Sequence, residues 1–137
     1  MPHYGINWLA ILVAAIIPMV LGYLWYSPML FAKQWLALMG KTQEEMMKGF
    51  NPAKSYGITF VMCLIMAYVM GYFVYYTSSM TFFQGAKIGG MLWLGMVVTT
   101  GFQTVTFQGI KQGLYNINAG YNLVCMLLMG GLLAVWR

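Results

Sequence analysis

Polar side chains interrupt one of the long apolar stretches of this chain. Thr99, Gln103 and Thr106 are spaced by four and three residues, so a helix would place them on one side. Asn122, in the next apolar stretch, is expected to meet them if the two helices are neighbours. Amides and hydroxyls placed in this way can replace the hydration of a permeating solute. They can equally link helices through hydrogen bonds worth about 0.6 kcal/mol each, and the spacing leaves both roles open.

Sulfur-containing side chains form a second pattern with possible chemistry. Met62, Met66 and Met70 recur every four residues, and Cys125 lies in the last apolar stretch. Thioethers and thiolates are soft ligands that select Cu(I). Methionine is also a flexible filler of apolar packing, and no histidine accompanies this stripe. Cu(I) handling is therefore the weaker alternative, and no bound cofactor is expected.

Acid–base and nucleophilic catalysis have few residues available. Glu44 and Glu45 are the only carboxylates, and both fall in a polar loop. His3 stands near the chain start without a partner set, and Ser27 has no histidine beside it to activate its hydroxyl. The apolar stretches also lack the ionisable residues that mark proton-coupled or sodium-coupled transport. We therefore expect a protein that is not an enzyme.

The composition indicates the surroundings in which these side chains act. The chain has 137 residues, of which 61% are hydrophobic and 7% charged, whereas soluble domains average about 25% charged residues. A chain this short cannot hide so much apolar surface from water, because small domains bury only part of their surface. The composition predicts an integral membrane protein whose first partner is the lipid bilayer.

Charged residues divide the chain into four uncharged stretches, each longer than the roughly 20 residues that cross a bilayer. Backbone groups in lipid must be satisfied within each segment, so the spans should be helices. The expected fold is all-α, a four-helix transmembrane bundle forming one domain over residues 1–137. The predicted spans are 7–26, 52–76, 84–107 and 118–136. Asn118 is the expected N-cap of the last one.

A short interfacial helix is expected over residues 28–39, between the first and second spans. Ser27–Pro28 combines a good N-cap with the residue favoured at the first helical position. Trp25, Tyr26 and Trp35 carry the amphipathic rings that anchor helices at a membrane interface. The segment is therefore expected to turn the chain from a spanning helix into one that lies along the surface.

Two further cap patterns follow this segment. Thr42 and Glu45 have the spacing of a capping box, and they predict one or two helical turns. Asn51 followed by Pro52 repeats the combination of a cap and a first-turn proline. This second pattern predicts the start of the second span.

Small residues that recur every four positions, or at multiples of four, predict where helices approach one another closely. These candidate packing residues are Ala14, Gly22, Ala67, Gly71, Gly85 and Gly89. Three such faces exceed what the inside of a four-helix bundle needs. They predict a homo-oligomer that buries the surplus faces by symmetric association.

The seven basic residues lie at the ends of the predicted helices rather than in one patch, so nucleic acid is not an expected partner. Four lysines fall in the first loop and Lys111 in the third, against Lys87 and Arg137 on the opposite side. Basic loops favour the cytoplasmic side. This five-to-two bias predicts a cytoplasmic first loop and both termini outside.

Several motifs resemble an uncharacterised family, the domain of unknown function 1761. The resemblance rests on Asn7-Trp8-Leu-Ala-Ile, Gly22-x-x-Trp25-Tyr26-Ser27-Pro28-x-x-Phe31, Trp35, Asn118-Ala-Gly-Tyr121-x-Leu-Val, Met129-Gly130 and Trp136. The segment W-Y-S-P is the most specific part, and the similarity covers nearly the whole chain. The resemblance implies a small bacterial membrane protein with four spans, and we expect the inner (plasma) membrane. It implies no activity, substrate or cofactor.

A lipid-modifying or lipophile-binding enzyme is disfavoured, because the chain lacks basic cofactor-binding residues. Three other functions are open at this point. The first is an oligomer that lets a small solute permeate, or binds a small molecule, within the bundle. The second is an accessory or assembly subunit that docks a larger membrane complex. The third is the Cu(I) handling described above.

Overall fold

The computed structural model describes residue 5 and residues 7–136, apart from the side chain of Gln43. Every regular element in this part of the chain is helical, as the composition predicts. Residues 3 and 137, which entered the sequence analysis, lie outside the described residues.

Four of these helices are long and apolar enough to cross a membrane. At 1.5 Å per residue, their 18 to 27 residues correspond to about 27–40 Å, against a hydrocarbon core of about 30 Å. The prediction of four such helices in an all-α chain is confirmed. They are α1 (Trp8–Trp25), α4 (Pro52–Tyr76), the third long helix (Phe82–Gln108) and α7 (Gln112–Val135).

Side-chain caps fix where these helices begin. The Asn7 side chain accepts from the Ala10 N–H at the start of α1. The Asn51 side chain accepts from the Lys54 N–H at the start of α4, whose first residue is Pro52 as predicted. Because a cap satisfies a backbone donor that has no partner within its own helix, these asparagines set the boundary locally.

The segment between α1 and α4 contains two short helices, α2 (Ala32–Met39) and α3 (Gln43–Met47). Thr42 caps α3 by accepting from the Glu45 N–H. The predicted start of α2 at Pro28 is wrong. The Ser27 hydroxyl donates to the Leu24 carbonyl at 2.6 Å and so closes the end of α1 instead of capping α2.

The third long helix consists of α5 (Phe82–Leu92), a π-helical segment (Trp93–Val98) and α6 (Thr99–Gln108). It begins two residues earlier than predicted. The reason is a capping box in which Thr81 and Gln84 each accept from the other's backbone N–H.

The start of α7 also differs from the prediction. The helix begins at Gln112, so Asn118 lies two turns inside it and is not an N-cap. Tertiary contacts extend the helix through this polar segment. The Tyr115 hydroxyl donates to the Val98 carbonyl at 2.9 Å, and Gly113 lies against the Leu38 side chain of α2.

Helix α7 is the centre of the arrangement. It contacts α1, α4 and α5, and α1 and α4 also pack against each other. The third long helix packs mainly on α7 and hardly on α4. The core therefore lies among α1, α4 and α7, and includes the fully buried Ala14 and Ala67 together with Met129.

Helices α5 and α7 approach each other closely where they cross. A Cβ atom added to Gly85 would lie 2.1 Å from the Gly130 carbonyl oxygen. A Cβ atom added to Gly89 would lie 2.1 Å from the Met126 carbonyl oxygen. Both glycines are buried, as is Gly71 of α4. The backbones of α5 and α7 are thus in direct contact.

Candidate functional site

The predicted polar residues of the third long helix lie on the outside of the molecule. Thr99, Gln103 and Thr106 are exposed and share one face of α6. The opposite face of α6 packs on α7, where Gly101 lies against the Tyr115 ring. Within the most apolar 18 residues of the third long helix, 6% of the residues are buried, against 44% in the equivalent stretch of α7.

The threonine hydroxyls on this face are already hydrogen-bonded within the helix. Thr99 donates to the Gly95 carbonyl at 2.7 Å, and Thr106 donates to the Phe102 carbonyl at 3.4 Å. Each oxygen still has capacity to accept a bond. These threonines therefore present acceptors along the outer face without requiring a donor partner from another helix.

Gln103 differs from the threonines. Its carboxamide has two N–H donors and an acceptor oxygen, and within the described residues it makes no hydrogen bond. An amide that faces hydrocarbon without a partner is costly. This side chain is therefore the group on the face that most needs a partner from outside the chain.

Asn122 is not brought together with the outer face of α6. It lies on α7 and is half-buried, and no hydrogen bond in the described part of the chain joins it to the three polar residues. The predicted four-residue cluster is thus divided between the outer surface of α6 and the central helix. We refer below to Thr99, Gln103 and Thr106 as the outer polar face.

Two hydrogen bonds hold the third long helix in this orientation. The Trp93 indole N–H donates to the Ala119 carbonyl at 2.9 Å, at the first residue of the π-helical segment. At the last residue of that segment, the Tyr115 hydroxyl donates to the Val98 carbonyl, as described above. A π-helical turn changes the rotation per residue and so changes which side chains face the neighbouring helix. The outward direction of the polar face depends on this turn.

A second cluster joins the end of α1 to the first turns of α7. The Trp25 indole N–H donates to the Ile117 carbonyl at 3.0 Å. The Tyr26 hydroxyl donates to the Asn118 side-chain oxygen at 2.5 Å. Trp25 also lies over Gly120, whose added Cβ atom would be 3.2 Å from the ring. Trp25 and Tyr26 of the segment W-Y-S-P therefore form a contact surface between two long helices.

Tyr121 completes this aromatic cluster. Its hydroxyl donates to the Pro18 carbonyl at 2.5 Å, and an added Cβ atom on Gly22 would lie 3.1 Å from that hydroxyl oxygen. The Tyr121 ring contacts Tyr26, with centroids 5.5 Å apart. Trp35 of α2 also contacts the Tyr26 ring, with centroids 5.3 Å apart. All three predicted interface anchors (Trp25, Tyr26, Trp35) thus belong to one aromatic cluster.

The methionine stripe of α4 contributes to an apolar groove of about 350 Å³ between α4 and the third long helix. Met66 and Met70 of α4 line it, together with Met96 of the third long helix and Met126 of α7. Met62 is exposed outside the groove. Met96 and Met126 could not be predicted from the spacing of the stripe, because only the fold brings them to it.

Four thioethers, which are possible Cu(I) ligands, line one groove, but the predicted Cys125 thiol is not among the lining groups. Cys125 is buried among the core residues and does not line the groove. Cys63, on α4, is also a buried free thiol. No group of three or more His, Cys, Asp or Glu residues in the described part of the chain is arranged to hold a metal ion. Cu(I) handling stays a prediction.

Residues 9–134 match the model of a family described as "Protein of unknown function (DUF1761)". The chain belongs to this family. The matched segment begins one residue inside α1 and ends one residue before the end of α7, so it covers all four long helices of this DUF1761 member. The resemblance inferred from W-Y-S-P and the other motifs is confirmed.

No curated protein and no solved structure matches this DUF1761 chain. Its function must therefore be inferred from the arrangement of its own residues.

Proposed function

We propose that the chain is an integral membrane protein that assembles with copies of itself and carries a path for a small, uncharged polar solute. The outer polar face of α6 lines this path at the axis where the copies meet. The observation that carries the proposal is that Thr99, Gln103 and Thr106 point away from their own chain, on its least buried long helix.

The membrane placement follows from what the long helices expose. Large apolar side chains such as Leu12, Val61 and Leu94 are exposed on three of them. Lipid is the solvent in which such surfaces are stable. We infer a four-helix transmembrane bundle in which α2 lies in the interface. Its residues are partly buried or exposed, and one end rests on α7.

The orientation follows from the loop lysines. The segment between α1 and α4, the first turn of α4 and the loop before α7 carry five basic residues, against Lys87 and Arg137 in the rest of the sequence. We infer a cytoplasmic first loop and both termini outside, in a bacterial inner membrane.

Association between copies supplies hydrogen-bond partners for the Gln103 carboxamide. A second glutamine placed across a symmetry axis offers a donor to the first one's oxygen and an acceptor to its N–H, so the same residue is its own complement. Gly95 lies one turn before Thr99, and a Cβ atom added there would meet nothing within 4 Å. The backbone of a second copy can therefore approach this face closely.

The chemistry of the face suits an uncharged solute. Its lining consists of hydroxyl and amide groups, and no Asp, Glu, Lys or Arg lies in α6. Desolvating an ion without charged partners is costly. Hydroxyls and amides can instead exchange hydrogen bonds with a neutral polar molecule. No covalent step is required of the protein.

Replacing Gln103 with leucine is expected to remove the path. Glycerol and urea entry into proteoliposomes, followed by stopped-flow light scattering, should fall to the rate of protein-free liposomes. The reason is that leucine has neither donor nor acceptor and closes the axis with an apolar side chain. The native protein should exceed the protein-free rate severalfold.

The matched control is Gln34→Leu, which makes the same change at an exposed position of α2 outside the path. Its flux should equal that of the native protein. If Gln103→Leu leaves glycerol and urea entry unchanged, the proposed path is wrong.

The exposed third long helix also favours a second function, that of an accessory subunit. In that case the outer polar face would contact a different membrane protein, whose donors and acceptors would satisfy Gln103. The two functions differ in what the purified chain does alone. A path requires self-association, whereas an accessory subunit should remain a single chain without its partner.

A further inference from the structure

One end of the molecule presents a group of exposed lysines. The segments at that end join α1 to α4 and the third long helix to α7, so their lysines and that of the first turn of α4 belong to the same end of the molecule. We call these residues the lysine end. They are Lys33, Lys41, Lys48, Lys54 and Lys111.

The charges of the lysine end are not neutralised by the protein itself. Within the described residues, none of the five lysines forms an ion pair. The acidic residues at this end are Glu44 and Glu45, both exposed in the first turn of α3. Five positive charges and two negative charges leave a net charge of +3.

Apolar side chains are interspersed with these lysines. Met29 is 86% exposed, and Leu30, Met47 and Phe50 also lie open on the surface. An exposed apolar surface of this kind, next to water, marks an interaction site. A partner that covers this end must therefore offer both anionic groups and an apolar phase.

Helix α2 is held against the end of the long helices. Leu38 of α2 contacts Gly113 in the first turn of α7. Trp35 contacts Tyr26, which is bonded to Asn118. These contacts attach α2 to the end of the bundle, where the headgroup layer begins if the long helices cross the membrane.

We propose that the lysine end binds anionic phospholipid headgroups of the leaflet in which it lies. The lysine ammonium groups bind the headgroup phosphates, while Met29 and Leu30 enter the apolar layer beneath. A leaflet places anionic phosphates next to an apolar layer, at a separation that a lysine side chain can bridge. The alkyl stem of the lysine can lie along apolar surface while its charge reaches the phosphates. An acidic soluble protein would leave the apolar side chains uncovered.

This inference rests on the proposed membrane placement, not on the path along α6. The experiment is reconstitution into bilayers with equal amounts of phosphatidylglycerol and phosphatidylcholine of the same acyl chains. The protein is extracted in mild detergent, and mass spectrometry counts the retained lipids. We expect about threefold enrichment of phosphatidylglycerol, because lysines near a lipid surface favour anionic headgroups.

The triple variant Lys33→Gln, Lys41→Gln, Lys48→Gln should bring the ratio close to one, because it removes the net positive charge of this end. Lys87→Gln is the matched control, since Lys87 is exposed at the opposite end, and it should keep the native ratio. Sodium chloride at molar concentration should reduce the enrichment by screening the lysines. Far-ultraviolet circular dichroism verifies that each variant remains helical.

Equal retention of the two lipids by the native protein would overturn the proposal. Enrichment that survives in the triple variant would also overturn it. Neither result depends on solute flux or on the number of copies, so the lipid site and the path can fail separately.

Discussion

Replacing Gly89 with alanine is expected to lower the free energy of unfolding by about 3 kcal/mol, the upper end of what overpacking usually costs. The added Cβ atom would lie 2.1 Å from the Met126 carbonyl oxygen and 2.8 Å from its carbon. Both are backbone atoms and cannot rotate aside, so α5 must move away from α7. Denaturation in mild detergent, followed by circular dichroism, measures the change.

Gly57 provides the matched control for this prediction. It also lies inside a long helix, but a Cβ atom added there would meet nothing within 4 Å. Gly57→Ala should leave the free energy of unfolding unchanged or raise it by up to about 1 kcal/mol, because alanine favours the helix more than glycine does. Equal effects of the two substitutions would show that α5 and α7 do not meet as described.

Replacing Trp25 with alanine should cost about 3 kcal/mol, the lower end of the range for such truncations because the ring is half-buried. The substitution removes the hydrogen bond to the Ile117 carbonyl and the ring that covers Gly120. It also removes the contact with Phe31 at 4.9 Å. The same detergent denaturation measures the loss.

Two variants separate the causes of that loss. Trp25→Phe keeps an aromatic ring but cannot donate, so it should lose about 1 kcal/mol, the usual net value of a hydrogen bond. Tyr23→Ala truncates an aromatic residue two positions away that is 77% exposed, and it should have little effect. If Tyr23→Ala costs as much as Trp25→Ala, the aromatic cluster is not what joins α1 to α7.

The long helices could be predicted because their cause is local. An uncharged stretch long enough to cross a bilayer must form its backbone hydrogen bonds within itself, and so becomes a helix. The caps Asn7 and Asn51 then fix where α1 and α4 begin. These features depend on neighbouring residues alone, so the sequence contains the information needed.

The start of α7 could not be predicted in the same way. The polar residues from Gln112 onward read as a loop, and Asn118 is a good N-cap by type. The helix nevertheless extends through them, because Tyr115 bonds to the third long helix and Gly113 receives Leu38 of α2. These partners are distant along the chain, so tertiary contacts override the local preference.

The composition of the candidate site was predictable, but its direction was not. Helical periodicity places Thr99, Gln103 and Thr106 on one face without saying whether that face points toward α7 or away from it. The direction depends on the glycine crossing of α5 and on the π-helical turn at Trp93–Val98. Neither the angle of the crossing nor the extra rotation of that turn is visible in a spacing pattern.

The aromatic residues at the end of α1 make contacts that their residue types do not predict. Trp25 and Tyr26 are amphipathic residues at the end of a long helix, which is typical of interface anchors. Their polar atoms instead bind Ile117 and Asn118 of α7. The motif near the start of the chain and the motif near its end thus form one contact.

The central claim is that the outer polar face meets the same face of a second copy. Disulfide cross-linking of Gln103→Cys in native membranes tests it most directly, in a chain whose Cys63 and Cys125 are replaced by alanine. Ile58→Cys is the matched control, since it is exposed on α4 at a similar distance from the end of its helix. Mild oxidation should link Gln103→Cys chains into dimers and leave Ile58→Cys chains single. If Gln103→Cys remains a single chain, or if both variants are linked equally, the outer polar face does not join copies of this protein.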